Sequence, residues 1–230
     1  MFMCDGSGAA ARGLPVYLPV TEAAADANTF VCEMQGSGSE TGVGGGLSGV
    51  DLVLTPSGVG AAAGGYRALN GSAYFNATQA ALAALLNGDE WTIMWAMRNM
   101  AATAQIWMAM LSNGATAHIA LASGVPYSPV PQVTTNQNLP TCVDAMGTAE
   151  FRMALWRKKG NVHYGIKLGT VWPTGWDSFP VTGRQVGLGG GLNVGAWSTH
   201  QKIAGYSSGG LAYDVGTIVI SKIGLQAAPV

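Results

Sequence analysis

Few stretches of this sequence bring together side chains that do chemistry at a useful spacing. The only close pair of carboxylates is Asp89 and Glu90. Glycosidic hydrolysis needs two carboxyls facing one bond, about 5 Å apart in the retaining mechanism. Adjacent residues at a strand start point to opposite faces, so this pair reads as a turn leading into a strand and not as an acid with its nucleophile. His118, His163 and His200 are far apart and form neither HxH nor HExxH, and no compact series of alternating Asp or Asn suggests a calcium loop. Cys4, Cys32 and Cys142 show no CxxC spacing and no GxSxG elbow is present, so free thiols and no activated nucleophile are expected. Gly44, Gly46 and Gly49 match a dinucleotide fingerprint, but the strand-like VDLVL follows them. A pyrophosphate needs a helix N-terminus at that point, so the glycines read as a linker. The expectation is therefore no catalytic residue, no metal ligand and no cofactor.

The remaining candidates are aromatic. Trp172, Trp176, Phe179 and Trp197 lie in connections rich in Gly and Pro. An exposed ring there can stack on a sugar or pack on a partner, and a buried one anchors its loop in the core. Trp172, Trp176 and Trp197 are the candidate ligand contacts, for a glycan or a partner protein. The sequons Asn70-Gly-Ser72 and Asn76-Ala-Thr78 would matter only in a secreted chain.

Composition narrows the classes of function. Only 10% of the 230 residues are charged, against roughly 25% in an ordinary soluble domain. A surface so poor in charge is suited to being covered by copies of the chain or by other subunits, although small-residue loops account for the same composition. The net charge is −1, and the only basic run is Arg157, Lys158 and Lys159, so no electrostatic footprint for nucleic acid is expected. No window approaches the ~20 apolar residues of a membrane-spanning helix. The opening MFMCDGSGAAARG lacks the apolar core of a signal peptide, so folding in a cytoplasm is expected.

The elements that would position any site are mostly strands. Residues 1–50 are rich in Gly, Ser, Ala and Thr and read as an N-terminal arm, with GSGSETGVGGGLSG (36–49) as a flexible connection. Within the arm, PVYLPV (15–20) and TFVCEM (29–34) have strand-like composition, and Pro15 and Pro19 confine the first to an edge or to an inter-subunit contact. The arm either pairs with a neighbouring molecule or folds back as a strand pair on its own domain. Residues 51–230 then form one domain with strands expected near 50–54, 74–75, 90–98, 105–111, 117–122, 150–157, 162–168, 185–188, 202–206 and 211–223. In the strand over 90–98, Trp91, Ile93, Trp95 and Met97 alternate with Thr92, Met94, Ala96 and Arg98, the pattern of one face in a core. A single short helix is expected between Thr78 and Asn87-Gly88. The proline-rich PYSPVPQVTTNQNLP (126–140) reads as one long loop. Many short strands with one short helix predict an all-β antiparallel sandwich or jelly roll.

The order of segments carries a resemblance. DLVLTPSGVGAAAGGYRALNGSAYF, followed by ALAALL and EWTIMWAMR, resembles the opening of laminin-G-like and concanavalin-A-like domains. FRMALWRKKGNVHYGIKLG (151–169) is similar to the central hairpin of that family, and VGLGGG (186–191) and VGTIVISKIGL (215–225) to its late and closing strands. The resemblance covers roughly residues 51–226. It implies two curved antiparallel sheets packed face to face, with Trp91, Trp95, Leu155 and Ile166 among the core residues. The Glu-x-Asp-x-x-Glu strand of the family's glucanases is not present, so their activity does not carry over.

A lectin-like sandwich without an enzyme's carboxylates or an export signal fits a virion, whose proteins fold in the host cytoplasm and leave by lysis. Similar domains occur in phage head-decoration proteins, tail fibres and tail-associated proteins. The expectation is a non-enzymatic virion structural protein, a capsid decoration or a tail or fibre component, oligomeric and in contact with other virion proteins. A carbohydrate-binding module is the alternative, and a glycoside hydrolase is the weakest of the three.

Overall fold

The computed structural model describes residues 17–45, 52–70, 73–77, 90–99, 106–112, 116–122, 125–130, 133–138, 150–158, 161–173, 201–204, 206–207 and 212–225. After a short 3-10 turn at Glu22–Ala24, the described residues form seventeen strands. The first seven are β1 (Thr29–Cys32), β2 (Glu40–Thr41), β3 (Val43–Gly44), β4 (Val53–Ser57), β5 (Ala62–Ala63), β6 (Tyr66–Asn70) and β7 (Tyr74–Ala77). The middle of the chain supplies β8 (Trp91–Arg98), β9 (Ile106–Ser112), β10 (Thr116–Ala122), β11 (Val125–Val130), β12 (Val133–Asn138), β13 (Phe151–Lys158) and β14 (Asn161–Leu168). The last three are β15 (Gln201–Ala204), β16 (Tyr206–Ser207) and β17 (Ala212–Ser221).

These strands make two antiparallel sheets, as the alternating patterns predict. The first runs β14-β13-β8-β17-β1-β3, with β6 also on β17 and β5 on β6. The second runs β12-β11-β10-β9-β15-β7-β4-β2, with β16 on β9. Contact between the sheets is direct: the guanidinium of Arg67 on β6 lies 5.0 Å from the ring centroid of Phe75 on β7. Phe30, Cys32, Leu54, Leu69, Phe75, Trp91, Ile93, Trp95, Met97, Phe151, Met153, Tyr213, Ile218 and Ile220 are all buried. Trp91 and Trp95 are thus core residues, as expected. The side chains of Leu155 and Ile166 lie outside the described residues; their backbones pair with Ile93 and Met153.

One expectation about β8 changes. Its alternation predicts one buried face, yet Thr92, Met94 and Ala96 are buried as fully as the tryptophans. The cause is that β8 is central, flanked by β13 and β17, and its second face is roofed by chain from both ends of the fold. Met94, Val31, Ala154, Trp156 and Val219 pack there with Leu18 and Leu225, and Val20, Ala25, Trp172 and Ile223 lie against them. The roof is pinned by polar contacts. The amides of Glu22 and Glu33 donate to each other's carboxylates at 3.3 and 3.1 Å, and Thr92 Oγ1 donates to the Ile223 carbonyl at 2.7 Å.

Residues 1–50 read as an arm, and the described part of them, 17–45, runs through the sandwich. Strand β1 pairs with β17 over Thr29–Cys32 and Ile218–Ser221, is wholly buried, and its Thr29 Oγ1 lies 2.9 Å from Ser221 Oγ. Of the two readings of TFVCEM, the strand within its own domain is the one realised. Tyr17–Val20 is not a strand, consistent with the donor that Pro19 lacks. The Gly/Ser-rich 36–49 is not merely a connection either. Glu40–Thr41 pairs with β4 in the second sheet and Val43–Gly44 with β1 in the first, so the chain changes sheets at Gly42. A Cβ at Gly42 would fall inside van der Waals contact with the Phe30 ring and the Val31 carbonyl oxygen.

The proline-rich 126–140 is likewise not one loop, because β11 and β12 form a hairpin at the rim of the second sheet. Pro126 stands in the stretch paired with β10 and Pro129 in the stretch paired with β12, where the register shifts. Each missing N–H can then face the side with no ladder bond to lose. Strands β5 and β6 turn at Gly64-Gly65, both at positive φ, as a tight two-residue hairpin requires. The helix expected between Thr78 and Gly88 and the strand over 185–188 lie outside the described residues.

Candidate functional site

Polar side chains meet on the face of the first sheet turned away from the second. Tyr66 from β6, Arg98 from the end of β8, Asp214 from β17 and Arg152 from β13 reach it from four neighbouring strands, because cross-strand partners share a face. Asp214 pairs directly with Arg98 and with Ala68, and Arg152 pairs with Ala96 and Lys167.

At one end, Arg98 lies over Tyr66, its Cζ 4.0 Å from the ring centroid, and its Nε donates to Asp214 Oδ2 at 3.1 Å. Asn99 Nδ2 donates to the same oxygen at 2.8 Å, and Arg98 also donates to the Ala63 carbonyl at 3.2 Å. Asn99 has φ 54°, the only positive value of a non-glycine among the described residues, and Asn is one of the side chains that tolerate it. The Arg98–Asp214 pair is partly exposed, so water screens its attraction.

At the other end, Arg152 is buried to 7% exposure and its Cζ stands 4.8 Å from the ring centroid of Trp172. Its Nε has no hydrogen-bond partner. Glu150 Oε2 is 3.9 Å from its NH2, longer than a hydrogen bond, and NH1 donates to the Phe151 carbonyl at 3.1 Å. Leaving a buried donor unmet costs about 1–3 kcal/mol, more for a charged group. The Tyr66 hydroxyl sits beside Arg152 and Glu150 and joins the two ends. Burial pushes its pKa up and Arg152 pulls it back, so the phenol is neutral at physiological pH.

Arg67 on β6 is buried too, but its role is different. Its Nε donates to the Gly60 carbonyl at 2.7 Å, NH1 to the Gly38 carbonyl at 2.6 Å and Glu40 Oε1 at 2.9 Å, and NH2 to the Ser37 carbonyl at 2.9 Å. Glu40 in turn accepts from the Gly36 amide at 2.9 Å. This network joins the two sheets and gives each of the three guanidinium nitrogens an acceptor from the chain itself. Cys32 is no nucleophile, because burial foremost and the Glu40 charge next push its thiol far above the ordinary range. Glu90 is half-buried at the start of β8, while Asp89 lies outside the described residues.

Of the three tryptophans singled out from the sequence, Trp172 is half-buried, packed against the apolar roof and stacked with Arg152. Trp176 and Trp197 lie outside the described residues. The sequence reading missed Tyr66, Arg98, Asn99, Glu150, Arg152 and Asp214. A signal was present, since Arg98 ends an apolar strand and Arg152 stands near the start of another, but only the register reveals that they share a face with Tyr66.

No known family profile matches the sequence, and no curated protein resembles it. Solved structures do share the fold. The binding domain of botulinum neurotoxin serotype C1 superposes with a TM-score of 0.54 at 10% identity, over 86% of this chain and 49% of that one. A structure reported with the finding that cell entry of botulinum neurotoxin type C depends on two ganglioside molecules gives 0.51 at 11% identity, over 86% and 49%. A Trypanosoma rangeli sialidase mutant displaying trans-sialidase activity gives 0.51 at 10%, over 86% of this chain and 31% of the enzyme. The chain therefore spans half or less of the length of these proteins, and at such identities the likeness is one of fold. It agrees with the lectin-like two-sheet sandwich expected from the order of segments.

Proposed function

We propose that the chain is a non-enzymatic recognition module that takes a glycan on the outer face of its first sheet, around Tyr66, Arg98, Asp214, Arg152 and Trp172. The observation that carries this reading is the combination on one face of two aromatic rings, two guanidinium groups, a carboxylate and an amide, with Asn99 exposed, Arg98, Asp214 and Trp172 partly exposed, and Tyr66 and Arg152 buried. Carbohydrate recognition uses this mixture, with ring faces for the C–H side of a sugar and planar polar groups for its hydroxyls. The pairing of Glu40 with Arg67 and of Asp214 with Arg98 favours binding over hydrolysis, which needs carboxyls free to act as acid and nucleophile. The shared fold with toxin receptor-binding domains, one of them reported with gangliosides, supports the same reading. The test is retention on a broad glycan array by the full chain, Trp172→Ala and Asn99→Ala. We expect one class of glycan to be retained and affinity to fall about tenfold or more in each variant. No retention of any glycan by the unaltered chain would refute the reading.

A second reading uses the fold for assembly: a virion structural protein, a capsid decoration or a tail or fibre component, folded in the host cytoplasm and oligomeric. Its support is the 10% charge content together with the exposed Tyr17, Val43 and Val171, the second of these on the edge strand β3. Native mass and electron microscopy of the material with which the chain purifies test it, and a clean monomer rules it out.

A further inference from the structure

We infer that Gly216 is a positioning residue of this face: it provides the seat of Tyr66, and the seated ring holds Arg98, and through it Asp214 and Asn99, in place without itself touching the ligand. The inference rests on the glycan-recognition reading and divides its residues into those that meet the sugar and those that hold them. It begins from the register of β17. Val215 pairs with both Arg67 and Met97, so Gly216 follows level with Tyr66, and the ladder to β8 shifts register between Val215 and Ile218. Bulges of this kind re-aim side chains and are over-represented beside functional sites. A Cβ at Gly216 would stand 2.8 and 3.0 Å from Cε1 and Cδ1 of Tyr66 and 3.2 Å from the Ala96 Cβ. Gly216 is not among the described glycines with positive φ, so its backbone does not demand glycine and the space does.

The second observation is what the seat supports. β17 and β8 lie between β6 and β13, and at this level they carry no side chain at Gly216 and a methyl group at Ala96, the cross-strand partner of Arg152. The Tyr66 side chain crosses this bed from β6 and meets Arg152 and Glu150 with its hydroxyl, which fixes the far end of the ring. Over the ring lies Arg98, its Cζ 4.0 Å from the centroid. Arg98 Nε donates to Asp214 Oδ2 at 3.1 Å, the oxygen that also accepts from Asn99 at 2.8 Å. Tyr66 is only 9% exposed, with Gly216 against its edge and Arg98 over its face, so its ring is no stacking platform for a sugar. Asn99 is exposed and Arg98, Asp214 and Trp172 are partly exposed, so these are the groups of the face that a sugar can reach. A displaced Tyr66 ring acts on three of them at once, because Arg98 rests on the ring and Asp214 and Asn99 are tied to Arg98.

Four variants of the full chain test the inference: Gly216→Ala, Tyr66→Phe, Tyr66→Leu, and Gly216→Ala in the Tyr66→Leu background. Two readouts are taken from each, the nuclear magnetic resonance position of the Arg98 Nε–H, which the ring current of Tyr66 displaces, and affinity for the array glycan that the unaltered chain retains. We expect Gly216→Ala to move the Arg98 signal towards its position in Tyr66→Leu, and both variants to lose about tenfold or more in affinity. Tyr66→Phe, which keeps the ring in its seat, should leave the Arg98 signal displaced and affinity within about twofold. An unmoved Arg98 signal in folded Gly216→Ala, or a moved one with affinity unchanged, would overturn the inference and leave glycan recognition standing. Equal losses in Tyr66→Phe and Tyr66→Leu would overturn it too, since the hydroxyl and not the seated ring would then carry the effect. If Gly216→Ala alone does not fold, the inference requires that it fold in the Tyr66→Leu background, where the obstructing ring is gone; failure in both backgrounds overturns the seat. Retention of no glycan by the unaltered chain would overturn both readings together.

Discussion

Arg67 and Arg152 carry the same charge at similar depth, and their surroundings assign them different work. Each guanidinium nitrogen of Arg67 donates to a carbonyl, and NH1 also to Glu40 at 2.9 Å, so it belongs to the scaffold. Removing one partner of a buried pair strands the other charge, which typically costs about 3–5 kcal/mol. We therefore expect Arg67→Ala to lower the denaturant midpoint by an amount in that range. Arg67→Ala combined with Glu40→Gln should recover part of the loss, because the uncompensated carboxylate is then gone. Equilibrium urea unfolding of both variants measures this. None of it was legible in the sequence, where YRALN shows only an arginine in a short apolar run, and the role depends on carbonyls from residues 37, 38 and 60 arriving around it.

Among the elements, β8 was the most legible and still changed meaning. Alternation identified the strand and the tryptophan face, but burial of the opposite face came from the roof of 17–25 and 222–225, which no local pattern encodes. Proline content misled in 126–140, since a proline excludes a strand only where its nitrogen must donate to a ladder. The glycine-rich 36–49 misled in the other direction. Flexible composition there serves a fixed change of sheet at Gly42, where Phe30 and the Val31 carbonyl leave no room for a Cβ. We expect Gly42→Ala to destabilise the fold by about 1–3 kcal/mol through overpacking, with Gly38→Ala, which meets nothing within 4 Å, as the near-neutral control. Thermal unfolding of the two variants side by side gives the comparison.

At the scale of the whole molecule, the sandwich is closed by its most distant segments. Strand β1 pairs with β17, and Leu18 and Val20 cover the same face as Ile223 and Leu225. Residues 17–45 are thus part of the core as well as of both sheets. Deleting residues 1–45 should abolish cooperative unfolding and raise exposure of apolar surface to a hydrophobic dye; a deletion that keeps a sharp transition would restore the reading of a separable arm. Such long-range closure also predicts slow folding, because contacts far apart in sequence must meet before they stabilise anything.

The sequence by itself determined the all-β class, the principal strands, the tryptophan core of β8 and the scarcity of catalytic motifs. Those follow from local periodicity and composition, which act over a few residues. Only the tertiary structure decided that Tyr66, Arg98, Asp214, Arg152 and Trp172 share one face, that Lys167 stands opposite Arg152, and that 17–45 is built into the sandwich. The physical reason is that a sheet face is assembled by cross-strand register. The five residues of the face are scattered from 66 to 214 along the chain, and the pairing that unites them is fixed by packing across the whole fold.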